Sequence, residues 1–368
     1  MKVLVLGGAG DMGSRAVEDL AAEQGVERVT IADRNIENAR RIAARLDRVD
    51  TIQVDANDHA ALVDAMGGHD VVASALGPFH LFEAKLVRAA VEAGVDYASI
   101  CDEWEAAAVV LDRFDEPARK KRVTVVTGLG TSPGMTNVGA RYLASRMDRT
   151  RRIDVSVFQP LQGGGGPAVV AHMLYIMSGR IAVWRNGRRV MVPALSDAKV
   201  VTFPRFGRIK VWRMGHSEPE TLPRFIPGIE EVNFFMGFGP GASLLVAPAR
   251  VGLFTGEKRR KLLQRLVAGV ESLSRGKEPA PGAVIIEAWG EKGGKERHEL
   301  LCGVGRMREA TGLALSIGTL MLVRKQLLNT QGGVYAPEGC IEPERFIREM
   351  RRKGIVSYRD LAMTRELV

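Results

Sequence analysis

Residues 3–13 read V-L-V-L-G-G-A-G-D-M-G, and this stretch decides the fold. Four successive apolar residues predict a buried strand, and the glycines at positions 8, 10 and 13 have G-x-G-x-x-G spacing. The first glycine would make the tight turn, the second would let backbone reach a pyrophosphate, and the third would let helix pack on strand. N–H groups of the following helix would face the phosphates, so we expect a dinucleotide here.

A second predicted strand, residues 28–32, ends at Asp33, about 20 residues beyond the glycines, as the dinucleotide fingerprint requires. A carboxylate at that position accepts hydrogen bonds from the adenosine ribose and favours NAD. The next residue, Arg34, can stack on adenine or pair with a 2'-phosphate, so NADP use stays open.

The composition excludes several classes of protein. With 368 residues, 46% apolar and 26% charged, the chain is long enough for two domains with cores. The net charge of +9 comes from interspersed residues, and the short basic runs lie in helical patterns, so we expect no nucleic-acid partner. The run 312–323 is too short to span a bilayer and predicts a buried helix.

The cysteines predict neither a disulfide framework nor a metal site. Cys101, Cys302 and Cys340 are far apart and lack C-x-x-C spacing. The chain begins with a strand pattern rather than a signal-peptide pattern, so a reducing, cytoplasmic location is expected.

Alternation of strand and helix patterns predicts a doubly wound parallel sheet, a Rossmann domain, over residues 1–137. Strands are expected near 2–6, 28–32, 51–54, 70–74, 96–100 and 123–127, and helices at 14–23, 37–46, 58–66 and 81–92. Residues 138–308 predict an α+β substrate and dimerisation domain of mainly antiparallel sheet, with hairpins turning at Asn186-Gly187 and Gly293-Gly294 and helices at 168–177 and 257–274. Residues 309–368 predict a C-terminal helical segment in which 309–328 is a long helix, followed by mixed helix and loop.

Ligands of such a sheet bind at the carboxyl ends of its strands. The turn after the third strand would flank the adenine and the turn after the fourth would approach the nicotinamide ribose, although either can be a plain turn. The predicted cofactor-binding residues are Gly8, Gly10, Asp11, Met12, Gly13, Asp33, Arg34, Asp55, Ala56, Ala75, Leu76 and Gly77.

Acidic residues follow the fifth strand, and two interpretations are open for them. Asp102 and Glu103 can supply a base or bind a substrate ammonium, or Asp102 can cap the next helix with further acids in its first turn. Nothing in the sequence places a base beside Cys101, which disfavours a nucleophilic thiol. The glycine-rich loop 127–137 is expected to cross between domains, where binding clefts usually lie.

Four segments together resemble the saccharopine dehydrogenase-like family: the glycine fingerprint, residues 102–105, the G-L-G-x-x-P-G-x-x-N loop at 128–137, and G-V-Y-x-P-E at 333–338. The end of the chain is most similar to the lysine 6-dehydrogenase branch. The resemblance implies a Rossmann domain, an inserted α+β domain and a C-terminal segment that returns to the first domain. It also implies hydride transfer at a carbon that carries an amine of an amino-acid-like substrate.

Within this resemblance, segment 215–221 occupies the place of a family substrate loop. His216 then becomes a candidate for proton transfer, with Thr221 and Arg224 for the substrate carboxylate; His216 as a packed residue and Arg224 as an exposed one are the alternatives. Glycines 163–166 form either a mobile lid or a passive loop.

The leading functional prediction is a homodimeric, lysine 6-dehydrogenase-like enzyme that uses NAD, with NADP not excluded. One alternative is a saccharopine or carboxyspermidine-type reductase that condenses an aldehyde with an amine. Another, of a different class, is a dinucleotide-binding sensor or scaffold without catalysis.

Overall fold

A computed structural model describes residues 1–160, 167–239, 246, 249, 280–328 and 330–367. The chain divides into two compact units. The first unit is Met1–Val138 with Arg308–Lys353, and the second is Gly139–Met307 with Gly354–Val368. The sequence analysis treated 309–368 as one segment, whereas the structure groups the residues after Lys353 with the second unit because Tyr358 bridges Cys302 there.

The strands in chain order are β1 Lys2–Leu6, β2 Arg28–Asp33, β3 Val49–Gln53, β4 Val71–Ser74, β5 Asp96–Ser99, β6 Thr124–Thr127, β7 Arg149–Phe158, β8 Arg180–Arg185, β9 Arg188–Pro193, β10 Ala198–Phe203, β11 Gly207–Arg213, β12 Glu231–Gly237, β13 Gly282–Lys292, β14 Lys295–Gly305 and β15 Gly333–Tyr335. The helices are α1 Asp11–Ala22, α2 Ile36–Ala43, α3 His59–Met66, α4 Phe79–Ala93, α5 Trp104–Lys121, α6 Met135–Ser145, α7 Pro167–Ile176, α8 Glu218–Phe225, α9 Met307–Val323, α10 Pro337–Cys340 and α11 Pro343–Arg352.

The first unit is built on a seven-stranded sheet in the order β15-β6-β5-β4-β1-β2-β3. All its strand pairs are parallel, which confirms the doubly wound prediction. The order reverses between β1 and β4, and this switch point is where such sheets bind ligands. Strand β1 is buried from Val3 to Leu6, as its unbroken apolar run requires.

The sequence analysis missed β15, which pairs in parallel with β6 and extends the sheet by one strand. Three residues are too few for strand periodicity to be visible. The long apolar helix is confirmed as α9, whose residues from Ala310 to Leu322 are all buried.

The second unit contains a mixed sheet in the order β10-β11-β12-β7-β13-β14, with β8 pairing with β12 and β9. Its pairs are antiparallel except β12 with β7, so the mainly antiparallel prediction is confirmed. Both predicted hairpins form, and their turn residues have positive φ, 52° and 69° at Asn186-Gly187 and 57° and 71° at Gly293-Gly294. The predicted loop 163–166 and helix 257–274 lie outside the described residues.

Among the described helices, none combines the length and the apolar character needed to cross a membrane.

Candidate functional site

The glycine turn after β1 is shaped by two close backbone approaches. Gly7 has φ +70°, so the left-handed conformation of the turn occurs at Gly7, whereas the motif assigned the tight turn to Gly8. Gly8 is instead packed, because a Cβ there would lie 3.1 Å from Ile31 Cγ2. A Cβ on Gly13 would lie 2.3 Å from the carbonyl oxygen of Gly7, so any side chain at position 13 would break the packing of α1 on the turn.

The N-terminus of α1 suits an anionic ligand. Its N-cap is Gly10, which makes no side-chain cap hydrogen bond, so no side chain of the cap covers the first N–H groups. Asp11 and Met12 follow in the first turn, and the Asp11 carboxylate lies 3.3 Å from the guanidinium of Arg308. Sequence reasoning missed Arg308 because it comes from the far end of the chain.

The Asp33 carboxylate is hydrogen-bonded to the glycine turn after β1. Its Oδ2 accepts a hydrogen bond from the backbone N–H of Ala9 at 3.2 Å, and Oδ1 accepts one from Asn35 N–H at 2.9 Å. The side chain of Asn38 donates to the carbonyl oxygen of Ala9 at 2.5 Å, which adds a second tie to the turn. A partly exposed carboxylate held at this point fits ribose hydroxyls, while Arg34 beside it is exposed.

The ends of β3 and β4 complete the cofactor edge. Asp55 is exposed, and hydrogen bonds from the backbone and side chain of Asn57 hold its pKa below the usual range; Ala56 is buried. The turn formed by Ala75, Leu76 and Gly77 meets the glycine turn directly, since a Cβ on Gly7 would lie 3.0 Å from the carbonyl oxygen of Ala75.

These features fit a dinucleotide: an uncapped helix start, a carboxylate beside it and a turn that only glycine can form. The residues that would hold the cofactor are those of the glycine turn, Asp33 and the turn after β4. A bound nicotinamide supplies hydride transfer to or from the substrate.

Asp102, in the acidic segment after β5, is not the helix cap that one of the two interpretations required. The N-cap of α5 is Glu103 rather than Asp102, and it makes no side-chain cap hydrogen bond to its own helix. Glu103 is completely buried; its Oε2 accepts the backbone N–H of His80 and is hydrogen-bonded to the ring Nδ1, each at 2.6 Å. Asp102 is half-buried. His80 was missed because nothing local connects it with residue 103.

A second buried carboxyl, Glu83, lies on α4 and was also missed. It accepts hydrogen bonds from Ser99 Oγ at 2.5 Å, Tyr97 OH at 3.0 Å and Thr127 Oγ1 at 3.3 Å. Burial outweighs these donors and raises the pKa of Glu83 to about 7. A sequence signal existed, because Glu83 stands four residues after Phe79 on the buried stripe of the helix.

Cys101 lies beside these groups as a buried thiol. Burial and the neighbouring carboxylates raise its pKa well above the usual range, which suits packing rather than nucleophilic attack.

The loop after β6 is buried and tightly folded. Gly128 and Gly134 have φ of +95° and +122°, and a Cβ on Gly134 would lie 2.0 Å from the carbonyl oxygen of Gly130. Thr131 and Thr311 share a hydrogen bond of 2.8 Å between their hydroxyls. The special backbone of this loop therefore serves close packing within the first unit.

In the second unit, His216 is enclosed. Its Nδ1 lies 2.5 Å from Oε2 of Glu218, and both side chains are at most 5% exposed. The imidazole stacks on Phe234 with a centroid distance of 3.9 Å, and the ring of His172 meets it edge-on at 5.9 Å.

The predicted carboxylate-binding residues lie one turn further along α8. Thr221 is buried, and Arg224 Nη2 binds Glu220 Oε1 at 2.6 Å. Arg189 Nε lies 3.4 Å from the other carboxylate oxygen of Glu220. The charge of Glu220 is thus shared between two arginines, a network that sequence reasoning did not anticipate.

Residues 3–126 match the saccharopine dehydrogenase NADP binding domain family. Over 312 residues the chain is 24% identical to carboxynorspermidine synthase of Vibrio cholerae serotype O1, covering 73% of each chain. It is 25% identical over 264 residues to carboxyaminopropylagmatine dehydrogenase of Synechocystis, covering 64% of this chain and 62% of that protein.

Among solved structures, the apo histidine-tagged saccharopine dehydrogenase (L-Glu forming) of Saccharomyces cerevisiae has the same fold. The TM-score is 0.70 at 16% sequence identity, over 97% of this chain and 99% of that one. The expected resemblance to the saccharopine dehydrogenase-like family and an NAD(P) cofactor are confirmed, whereas the lysine 6-dehydrogenase branch, the homodimer and the cytoplasmic location stay predictions. Residues 3–126 therefore match the saccharopine dehydrogenase NADP binding domain family, and the chain has the fold of a saccharopine dehydrogenase.

Proposed function

We propose that the protein forms or oxidises a secondary amine that joins an amino-acid-like carbon skeleton to an aliphatic amine. In the reductive direction an aldehyde and an amine condense to an imine, which is then reduced. The observation that supports the proposal is the extent of the sequence similarity to carboxynorspermidine synthase. This similarity covers 73% of the chain, far more than the NADP-binding domain match at 3–126.

The cofactor is proposed to bind to the first unit. The pyrophosphate would rest on the uncapped start of α1, at Gly10, Asp11, Met12 and Gly13. The turn Ala75, Leu76 and Gly77 would approach the nicotinamide ribose, because it lies beside the glycine turn at the switch point of the sheet.

We propose a preference for NAD over NADP on the basis of Asp33. Its carboxylate is held at the glycine turn by Ala9 and Asn35, so a 2'-phosphate placed there would meet a fixed negative charge. Arg34 is exposed and is the residue through which NADP would be accommodated.

Asp102 and Glu103 are proposed on the amine side of the reaction, because they follow β5 at the carboxyl edge of the same sheet. Glu103 is completely buried, so it would act through its hydrogen bonds rather than by contact with the substrate. The second unit carries its own candidates: His216 for proton transfer, with Thr221 and Arg224 for a substrate carboxylate. The pairing of Arg224 with Glu220 means that a carboxylate would have to compete for that guanidinium.

The test follows nicotinamide absorbance with NAD and NADP separately. Reduced cofactor should be consumed only when an amino-acid semialdehyde and a diamine are supplied together. The Gly13→Val variant is the negative control, because its side chain would collide with the Gly7 carbonyl and abolish cofactor binding. Turnover of a 2-hydroxy acid with no response to any amine would overturn the proposal.

A second candidate is oxidation of the terminal primary amine of lysine, in the manner of lysine 6-dehydrogenase. It is favoured by the G-V-Y-x-P-E segment at 333–338, whose first residues form β15 beside β6. Reduction of NAD by lysine alone, with no requirement for an aldehyde, would select this candidate. Dinucleotide binding without turnover of any substrate would instead indicate a sensor or scaffold.

A further inference from the structure

The pair formed by His80 and Glu103 has the geometry of an oriented base. One carboxyl oxygen of Glu103 is hydrogen-bonded to both the ring Nδ1 and the backbone N–H of His80, at 2.6 Å each. Two bonds from one residue fix the imidazole in position and rotation. The Glu103 side chain is 0% exposed, whereas that of His80 is 28% exposed.

These bonds also bear on the tautomer of His80. The carboxyl group of Glu103 lies at the N-terminus of α4, where its Oε2 accepts the backbone N–H of His80. When Oε2 also accepts from the ring, Nδ1 carries the proton. In the neutral imidazole Nε2 is then unprotonated and basic.

The position of His80 suits chemistry at the nicotinamide. It is the second residue of α4, directly after the turn that follows β4. Strand β4 pairs with β1, so this turn lies at the switch point and contacts the glycine turn. A ring partly open to solvent at this edge can reach a substrate that its buried partner cannot.

We infer that His80 exchanges the proton of the substrate amine and that Glu103 is the positioning residue that holds it; the inference rests on the proposed function. In oxidation, Nε2 takes one proton from the substrate ammonium and becomes imidazolium. The neutral amine then forms the C=N bond as its carbon loses hydride to the oxidised nicotinamide cofactor. The carbon is oxidised by two electrons and the cofactor is reduced by two; reduction reverses each transfer.

The first test is His80→Asn. The asparagine amide can still donate to Glu103 but cannot accept a proton, so the fold should persist while kcat falls about 10²- to 10⁴-fold. The matched control is His59→Asn. His59 also begins a helix and pairs with a glutamate, Glu92, at 2.8 Å, but both side chains are largely exposed. Added imidazole should partly restore the His80→Ala variant.

A second test separates positioning from catalysis. Glu103→Gln should lower kcat in the wild-type background but add little to His80→Asn, because Glu103 acts through His80. A readout without turnover is the ¹⁵N NMR spectrum of the histidines. The His80 ring should be protonated at Nδ1 in the wild type and should lose that fixed tautomer in Glu103→Gln.

The outcomes separate the inference from the proposed function. If the wild type turns over its amine and His80→Asn keeps more than about a tenth of kcat, the inference is overturned and the proposed function stands. If the wild type converts no amine or imine at all, both are overturned, whatever tautomer the NMR spectrum reports. Loss of kcat in His80→Asn with unchanged cofactor binding supports both.

Discussion

Two histidine–glutamate pairs have almost the same hydrogen-bond distance, but their imidazoles differ in solvent exposure. His80 and Glu103 in the first unit are 2.6 Å apart, and His216 and Glu218 in the second are 2.5 Å apart. The first pair joins residues 23 positions apart and leaves its imidazole partly exposed, whereas the second joins near neighbours and buries the ring. Nearly equal distances therefore occur with different solvent access, since the ring of His80 is partly exposed and that of His216 is enclosed.

Removing Glu218, the carboxylate partner of the enclosed His216, should have the largest effect on stability. Glu218→Ala leaves the enclosed His216 without its carboxylate, which is expected to cost about 3–5 kcal/mol of unfolding free energy. His80→Asn should cost less than about 1 kcal/mol, because the amide keeps the bond to Glu103. Urea unfolding of both variants measures the difference, and equal losses would remove the contrast between the pairs.

The pH dependence of stability tests how far burial perturbs Glu83, a carboxyl group of the first unit. Its pKa is raised from 4.5 to about 7, so between these pH values the folded state keeps a proton that the unfolded state has lost. Stability should therefore fall by about 3 kcal/mol as pH rises from about 4.5 to about 7. Glu83→Gln should flatten this slope in denaturant titrations at several pH values; an unchanged slope would show that Glu83 ionises normally.

Asp33 tests whether the cofactor edge is specific. Asp33→Ala removes the charged acceptor of hydrogen bonds that the ribose hydroxyls donate, which is expected to weaken NAD binding by about 2 kcal/mol. NADP binding should change much less. Cofactor titrations by fluorescence measure both affinities, and equal losses would mean that Arg34 or other groups set the preference.

The smallest effect is expected at His59 and Glu92, a third pair with both side chains exposed. His59→Asn should change the free energy of unfolding by no more than about 0.5 kcal/mol and leave kcat unchanged. A larger change in either quantity would show that pairing alone, rather than burial or position, governs the other two pairs.

The sequence predicted the fold well where the signal was local. The run before Gly7 predicted β1, and the Asn186-Gly187 pair predicted a hairpin turn that forms with positive φ at both residues. The cofactor edge followed from glycine spacing and Asp33. Strand β15 escaped prediction because three residues carry no period, and its place in the sheet depends on pairing with β6.

The candidate catalytic groups were predicted less completely, and the reason is physical. Asp102 and Glu103 were visible as acids at a strand end, but the partner of Glu103 was not. Glu83 was hidden in an apolar helix face, and its raised pKa results from burial among side chains of β5 and β6.

The sequence by itself determined the parallel sheet, the glycine turn and the acid at the end of β2, because strand period, turn conformation and helix start depend on neighbouring residues. Only the tertiary structure decided which imidazole Glu103 holds, how far Glu83 is removed from water and which glycine takes the left-handed conformation. These properties depend on contacts between distant residues and on desolvation, which the packed sheet and helices create.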